Sequence, residues 1–361
     1  MSATNNSPET RLMKGNEALA EAALRAGMQA YFGYPITPQS EVLEYLAIHG
    51  PKRGAVVLQA ESELAAINMV YGAGGAGARV MISSSSPGIS LMQEGLSYMA
   101  SAQIPCLIVN VQRGGPGLGT IQPAQSDYFQ ATKGGGHGDY HLIVLAPSSV
   151  QEMADFVFEG FRLTEQYRNP TMILSDGALG QMMEKVSLPA EGSLPQTEKP
   201  WATTGKLDSR ERNILTSLFI QPERMEEINL GLQKKYREIE EKEVRYELIR
   251  TEDADIILVA FGLAARICEK ALELGREKGM RIGLMRPITL YPFPYKAVSN
   301  LALTTGAFLT VEMNAGQMVE DVRLAVNGAR PVFFKGRMGG MIPSPEEVLT
   351  EIELMLVTEV H

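Results

Sequence analysis

Short apolar runs alternate with segments of helical spacing along most of the chain, and this alternation limits the folds open to it. In the first half, the pattern predicts strands at 30–33, 55–59, 79–82, 105–111, 141–145 and 171–174. Helices are predicted between them, at 16–26, 39–48, 62–71, 90–101 and from residue 149 onward. Strands joined through helices lie parallel, so the sequence predicts a doubly wound α/β sheet with helices on both faces.

A second α/β unit is predicted in the last third of the chain, with strands at 255–261, 281–285 and 307–312. Between the two units, 185–208 contains three prolines and no clear period, which is typical of a linker. The strongly charged stretch 222–249 predicts a long exposed helix with Leu230, Ile239 and Leu248 as sparse apolar anchors. The predicted division is therefore a domain at 1–184, a linker with a charged helix at 185–250, and a domain at 251–361.

The bulk composition excludes several classes of protein. With 361 residues, 45% hydrophobic and 21% charged, the chain is large enough for two folded units with well-filled cores. A net charge of −9 argues against nucleic acid as a partner, because neutralising phosphates requires a basic surface. No apolar run approaches the ~20 residues that span a bilayer. The first fourteen residues are polar and lack an apolar signal core, so the cytoplasm is the expected location.

Three motifs fail when their context is considered. The run 72–77 matches G-x-G-x-x-G, but a helix precedes it and a strand follows, the reverse of a dinucleotide fingerprint. These glycines are expected to end the helix and let it pack closely, and a nucleotide-binding protein remains only as an alternative. His137 and His141 do not share a helical face, so no metal site is predicted. Ser175-Asp176-Gly177 is similar to the start of a thiamine diphosphate magnesium site, but no Asn-Asn pair follows.

The two cysteines, Cys106 and Cys268, lie far apart in apolar surroundings and are predicted to be buried small hydrophobes. There is no Cys-x-x-Cys, so the chain is not expected to hold an iron–sulfur cluster by itself.

Polar side chains with useful chemistry follow three of the predicted strands. Thr37 lies in a loop between two prolines, Glu61 and Glu63 begin a helix, and Arg113 precedes the glycine-rich run 114–117. The carboxyl edge of a parallel sheet is where α/β proteins bind ligands, and a guanidinium can bind a carboxylate by two hydrogen bonds. Structural alternatives stay open: a favourable helix-dipole contact for the glutamates, a salt bridge for the arginine, and an ordinary helix-start hydroxyl for the threonine.

Several motifs together resemble one family, the α subunits of 2-oxoacid:ferredoxin oxidoreductases. The resemblance covers nearly all of the chain except the amino-terminal tail and the linker. The motifs that carry it lie at 15–20, 34–38, 59–63, 113–116, 135–140, 286–288, 292–294 and 336–340.

The resemblance implies a thiamine diphosphate enzyme built from several chains. This chain would supply the pyrimidine-side domain and a transketolase C-terminal-like domain, while a β subunit would supply the diphosphate and Mg²⁺ site. Iron–sulfur clusters would lie only on partner chains, namely β and a ferredoxin-like δ subunit, and a γ subunit would complete the complex. The implied reaction is oxidative decarboxylation of a 2-oxoacid to an acyl-CoA and CO₂, with electrons passed to ferredoxin.

The resemblance also implies roles for single residues. Glu63 matches the acid that hydrogen-bonds the aminopyrimidine N1′ and moves a proton there, so we expect it to be buried against an apolar wall. Arg113 matches a residue that binds the substrate carboxylate, and Thr37 one that contacts the substrate. The cofactor-binding set is completed by Tyr34, Pro35 and Ile36.

The substrate is indicated by the loop 117–123, which departs from the Ser-Thr-Gly version common in 2-oxoglutarate enzymes. The loop is similar to that of the 2-oxoisovalerate, or branched-chain, type. The alternatives are 2-oxoglutarate or pyruvate as substrate, or a non-catalytic partner module on the same scaffold.

Overall fold

The structure, a computed structural model, describes residues 9–206 and 210–358. The prediction about a missing signal core rests in large part on residues 1–8, which lie outside this range. None of the described helices is both long enough and apolar enough to cross a membrane.

The described residues form fourteen strands and twelve α-helices. The strands are β1 Glu9–Lys14, β2 Ala30–Gly33, β3 Val56–Gln59, β4 Val80–Ser84, β5 Leu107–Gln112, β6 Ile143–Leu145, β7 Thr171–Asp176, β8 Met183–Leu188, β9 Tyr246–Ile249, β10 Ile256–Val259, β11 Ile282–Pro287, β12 Thr289–Tyr291, β13 Ala307–Glu312 and β14 Val332–Gly336. The helices are α1 Gly15–Arg25, α2 Ser40–His49, α3 Glu63–Gly75, α4 Ser86–Ala102, α5 Tyr128–Thr132, α6 Val150–Tyr167, α7 Gly177–Gln181, α8 Pro222–Lys242, α9 Gly262–Glu277, α10 Tyr295–Leu301, α11 Met318–Val326 and α12 Pro345–Thr358.

Two large sheets organise the fold. The first has the order β12-β6-β7-β5-β4-β2-β3 and is parallel except for β12, and the second has the order β14-β13-β10-β11-β9 and is parallel except for β9. Strands β4, β5 and β7 are buried along their whole length, as strands covered by helices on both faces must be. The predicted doubly wound α/β class is therefore confirmed.

The core of the first unit has one layer on each side of its sheet. Successive residues of β5 point to opposite faces, so Ile108 packs in the cluster that contains Ile67 and Leu96 of α3 and α4. Val109 packs on the other face with Phe161 of α6. The two layers cover the faces of the sheet. Its carboxyl edge, where the strands end in loops, is left available for a functional site.

The prediction of one helix over 222–249 is wrong at its carboxyl end. Helix α8 ends at Lys242, and Tyr246–Ile249 instead forms β9, which pairs antiparallel with β11. Pairing with a distant strand outweighs the local helical pattern because it satisfies a row of backbone hydrogen bonds at the sheet edge. Of the predicted anchors Ile239 is buried, whereas Leu230 and Leu248 are largely exposed.

Strand pairing also crosses the predicted domain bounds. The predicted linker 185–208 begins inside β8, which pairs with β1. Strand β12 lies in the predicted domain 251–361 but adds an antiparallel edge to the first sheet, beside β6. The division into 1–184, 185–250 and 251–361 stays a prediction.

Candidate functional site

The three polar motifs meet at one edge of the first sheet. Strands β2, β3, β4 and β5 are parallel neighbours, so the loops that follow them leave the sheet on the same side. Thr37 follows β2, Glu63 follows β3 and Arg113 follows β5. A serine run at 83–86 ends β4 and begins α4 between them. The structure thus brings together residues that are up to 76 positions apart in the chain.

Glu63 is the first residue of α3 and is only 6% exposed, which confirms the predicted burial. Its carboxylate accepts a long hydrogen bond of 3.4 Å from the Ser84 hydroxyl and lies against Gly88 of α4. These neighbours are polar or small, so the apolar wall stays a prediction. Ser62 caps the helix by accepting a hydrogen bond from the Ala65 amide, which fixes the start of α3. Glu61 is exposed, so the two glutamates occupy different environments.

Arg113 is 7% exposed and holds two loops together. Its Nη1 donates to the carbonyl of Thr37 and its Nη2 to the carbonyl of Leu118, each at 2.9 Å. Within residues 9–206 and 210–358 it forms no ion pair, and its buried Nε has no hydrogen-bond partner. A guanidinium has five N–H donors, so three of them form no hydrogen bond with the described residues, and two of those three are on the terminal nitrogens.

The loop after β2 exposes Tyr34, Pro35 and Thr37 and half-buries Ile36. Helix α2 begins at Ser40, and its cap, Gln39, makes no side-chain capping bond. The hydroxyl of Thr37 therefore does not act as the helix-start cap that was the structural alternative for it. An exposed apolar surface at the ligand edge of the sheet suits a flat organic ring.

A cleft of about 470 Å³ opens beside Arg113, between the two α/β units. Its walls include Ser86, Arg113 and Asp127 from the first unit and Met313 and Met338 from the second. Neither Glu63 nor Thr37 is among the residues that line it.

Sequence reasoning missed Asp127 and Ser86, which lie at this cleft. The Ser86 hydroxyl donates to Asp127 Oδ2 at 2.6 Å, and Asn110 Nδ2 donates to the same oxygen at 2.9 Å. Burial raises the pKa of Asp127, and these two hydrogen bonds lower it in part. The Ser86 hydroxyl also accepts from the Arg113 amide at 3.1 Å, which ties the aspartate to the arginine loop. The only sequence signal was that both residues lie at the ends of irregular segments.

Side-chain amides join the two units across the cleft. Gln125 donates to the carbonyl of Phe261 at 2.8 Å and accepts from the Met313 amide at 3.1 Å. Gln317 donates to the carbonyl of Ser126 at 2.8 Å. Buried Glu312 accepts hydrogen bonds from the backbone amides at the start of α11, so the loop between them has a defined shape.

The rejected motifs have structural roles. Residues 72–75 form the last turn of α3, which agrees with the prediction that these glycines end a helix. Asp176 caps α7 by accepting hydrogen bonds from the amides of Ala178 and Leu179, and burial raises its pKa to about 6.

No group of three or more potential metal ligands occurs in the part of the chain that the structure describes. Cys106 and Cys268 are buried, as predicted.

Comparison with protein families gives two adjoining matches. Residues 21–250 match the family model described as pyruvate flavodoxin/ferredoxin oxidoreductase, thiamine diphosphate-binding. Residues 254–348 match core domain II of pyruvate:ferredoxin oxidoreductase.

Curated relatives cover almost the whole chain. The ketoisovalerate oxidoreductase subunit VorB of Methanothermobacter thermautotrophicus is 49% identical over 343 residues, which is 95% of this chain and 97% of that protein. The 2-oxoglutarate synthase subunit KorA of Archaeoglobus fulgidus is 37% identical, covering 87% of this chain and 91% of that protein.

Two solved structures are also similar. The 2-oxoglutarate:ferredoxin oxidoreductase from Magnetococcus marinus, with 2-oxoglutarate, coenzyme A and succinyl-CoA bound, has a TM-score of 0.85 at 27% identity. The match covers 96% of the present chain and 65% of that chain, so the present chain spans less than two thirds of its length. A split-gene transketolase, described as an inactive β4 tetramer, has a TM-score of 0.59 at 13% identity and shows the fold alone.

The parallel sheet, its polar carboxyl edge and the matched family model define a thiamine diphosphate-binding α/β protein. Within that class, the chain belongs to the 2-oxoacid:ferredoxin oxidoreductase family, as a subunit of the α type.

Proposed function

We propose that this chain is the α subunit of a multi-subunit enzyme that oxidatively decarboxylates 2-oxoisovalerate to an acyl-CoA and CO₂ and passes electrons to ferredoxin. The observation that carries the proposal is a difference in similarity. Two relatives named as ketoisovalerate oxidoreductase subunits are 48% and 49% identical, whereas four 2-oxoglutarate synthase subunits are 33–37% identical. The shape of the site supports the same chemistry.

Glu63 fits a thiamine pyrimidine. Its buried carboxylate faces a glycine at position 88, so no side chain there competes with a ring nitrogen for it. Glu63 would hold a proton at that nitrogen, and Tyr34, Pro35 and Ile36 would contact the ring. The bound cofactor supplies the electron sink for decarboxylation.

Arg113 would bind the substrate carboxylate through donors that the protein leaves free, with Thr37 touching the same substrate. The carbonyl of Thr37 already accepts from the guanidinium, so the two residues are held next to each other. A carboxylate bound there is oriented before the reaction starts, and this orientation lowers the entropic part of the reaction barrier.

Partner chains would complete the site. We place the diphosphate and Mg²⁺ on a β subunit and the iron–sulfur clusters on β and a ferredoxin-like δ subunit, with a γ subunit in the same complex. The edge strand β3 leaves Val56 57% exposed and Leu58 40% exposed, which supports a partner chain that covers this side of the first sheet. The assembly would act in the cytoplasm, without nucleic acid or membrane, and only when complete.

The substrate can be tested by kinetics on the purified complex. We expect kcat/KM for 2-oxoisovalerate to exceed that for 2-oxoglutarate by at least about tenfold, because a diacid needs a second cation. Leu118 and Ile121 instead give the loop near Arg113 an apolar surface, with exposures of 84% and 57%. Preference for 2-oxoglutarate or pyruvate would make this assignment wrong and leave the family unchanged.

The position of the Glu63 carboxylate can be tested without replacing it. A Cβ at Gly88 would lie 2.4 Å from Glu63 Oε1 and 2.0 Å from Ser84 Oγ, so Gly88→Ala must push both flexible side chains aside. Since a misplacement of about 1 Å can cost ~10²-fold in rate, we expect kcat to fall by one to two orders of magnitude. Gly231→Ala in α8 is the matched control, because nothing lies within 4 Å of its Cβ. Equal kcat in both variants would contradict the proposed role of Glu63.

A further inference from the structure

The motif at 15–20 is part of the family resemblance but has no role in the proposed function. Its second residue, Asn16, lies in the first turn of α1 and is completely buried, with 0% of its surface exposed. A buried amide is costly unless its polar atoms are hydrogen-bonded. The hydrogen-bond partners of this side chain therefore indicate what it does.

The Asn16 amide holds the backbone of the loop that follows β2. Its Nδ2 donates to the carbonyl of Pro38 at 2.8 Å and to Glu41 Oε2 at 2.9 Å. Both partners are acceptors, so only the nitrogen of the amide can face them. Pro38 directly follows Thr37, whose own carbonyl accepts from Arg113. Two neighbouring carbonyls of the loop are thus held by buried side chains from two different parts of the chain.

Glu41 keeps the Asn16 amide in this orientation. Its other carboxylate oxygen accepts from Gln181 Nε2 at 2.7 Å, so the carboxylate is held from two sides. Although burial acts to raise the pKa of Glu41, hydrogen bonds from Gln181, from its own amide and from Asn16 bring it below the ordinary value. Glu41 is therefore ionised at neutral pH, and an ionised acceptor binds the N–H side of the amide more strongly than a neutral one.

Helix α7 leaves space for both Asn16 and Pro38. A Cβ at Gly180 would lie 2.5 Å from Asn16 Oδ1, and a Cβ at Gly177 would lie 2.9 Å from Pro38 Cγ. A larger residue at either position would displace the amide or the proline ring. Asp176 caps this short helix, so its two glycines lie at defined points behind the loop.

The residue after Pro38 is anchored as well. Gln39 is completely buried, and its Oε1 accepts from the hydroxyl of Ser83, in β4, at 2.6 Å. The three consecutive residues that begin with Thr37 are therefore fixed by groups from the loop after β5, from α1 and from β4. Such a backbone segment cannot move without breaking one of its anchors, and this is the support that a precise binding site requires.

We propose that Asn16 is a positioning residue for substrate binding: by fixing the Pro38 carbonyl, it holds Thr37 beside Arg113, where the 2-oxoacid would be bound. The inference rests on the proposed function, because Thr37 and Arg113 are assigned to the 2-oxoacid there. Asn16 is completely buried, so it acts through the loop and not by contact with the substrate.

The test compares two buried asparagines in the assembled complex. Asn16→Leu removes the N–H donors with little change in size. Asn169→Leu is the matched control, because Asn169 is also 0% exposed and its Nδ2 donates to the carbonyls of His141 and Pro170, each at 3.0 Å. Asn169 precedes β7, so it lies at the opposite edge of the first sheet from the site.

Both variants are expected to lower the melting temperature, because each leaves buried carbonyls without a donor. Only Asn16→Leu should lower kcat/KM for 2-oxoisovalerate, by about 10–10²-fold per folded complex, since a misplacement of about 1 Å can cost ~10²-fold in rate. Asn169→Leu should change it by less than about twofold.

A double-mutant cycle with Thr37→Val shows whether Asn16 acts through the loop. Thr37→Val alone should lower kcat/KM for 2-oxoisovalerate by about five- to tenfold, because it removes one hydrogen bond to the substrate. In that background Asn16→Leu should cost less than about threefold, since the group that it positions has already been removed. If Asn16→Leu does not assemble, Asn16→Ala removes the same donors without bulk and replaces it in the cycle.

Several outcomes would overturn the inference. An unchanged kcat/KM in Asn16→Leu or in Thr37→Val would mean that the loop does not position a group for the 2-oxoacid. An equal loss with and without Thr37→Val, an equal loss in the Asn169→Leu control, or failure of both Asn16 variants to assemble would make Asn16 a structural residue. Release of CO₂ from 2-oxoisovalerate by the wild-type complex is measured in parallel, and its absence would refute the proposed function itself.

Discussion

Glu63→Gln in the assembled complex is expected to lower kcat by about 10²–10⁴-fold, the usual contribution of a positioned acid–base group. Glutamine keeps the size of the side chain and can still accept from the Ser84 hydroxyl, so the fold should be retained. It cannot hold and release the proton that the carboxyl would exchange with the pyrimidine. The measurement is steady-state turnover with 2-oxoisovalerate, coenzyme A and an electron acceptor.

Glu61→Gln is the matched control for this prediction. Glu61 lies two residues away and is exposed, so its loss should change kcat by less than twofold. If Glu63 served only the dipole of α3, its replacement would cost about 0.3–1 kcal/mol of stability and leave turnover intact. Unchanged turnover in Glu63→Gln would thus favour a non-catalytic module on the same scaffold.

Arg113→Met is expected to lower kcat/KM for the 2-oxoacid by about 10²–10³-fold. Truncating one member of a buried, hydrogen-bonded charge pair costs about 2–5 kcal/mol, much of which is the penalty of leaving the other charge unpaired. The variant also removes the donors to the carbonyls of Thr37 and Leu118, so the two loops should loosen. The effect should be larger on KM than on kcat, since the carboxylate is bound before and during decarboxylation.

Arg113→Lys separates charge from geometry. Lysine keeps the cation but cannot hold two carbonyls and grip a carboxylate with two parallel bonds, so we expect only partial recovery of kcat/KM. Thermal unfolding of both variants shows whether the loops or the substrate account for the loss. An unchanged KM for the 2-oxoacid in Arg113→Met would leave the arginine as a structural clamp between the loops.

The two predictions concern one connected set of groups. The carboxyl end of β4 supplies Ser84, which contacts Glu63, and two residues later Ser86, which bonds the Arg113 amide. A shift of this short segment would therefore move both the acid and the arginine. Packing around this segment is tight, since a Cβ at Gly88 would lie 2.0 Å from Ser84 Oγ and 2.4 Å from Glu63 Oε1.

Much of this architecture could be predicted from local sequence. The alternation of apolar runs and helical spacing defines strands such as Ala30–Gly33 and Ala307–Glu312, whose observed bounds equal the predicted ones. The same pattern locates Thr37, Glu63 and Arg113 just beyond strand ends, and parallel strands release such residues at a common edge. These features are local, because the hydrophobic period and the glycine and proline punctuation act within a few residues.

Other features arise only from contacts between distant parts of the chain. The helical pattern of 246–249 gives way to a strand because β11 offers it hydrogen-bond partners, and β12 joins the first sheet although it follows the strands of the second. The carbonyls that hold Arg113, the hydroxyl that reaches Asp127 and the cleft between the units have no local signal. Strand pairing, side-chain hydrogen bonds and cavities depend on which groups meet in space, so only the folded chain decides them.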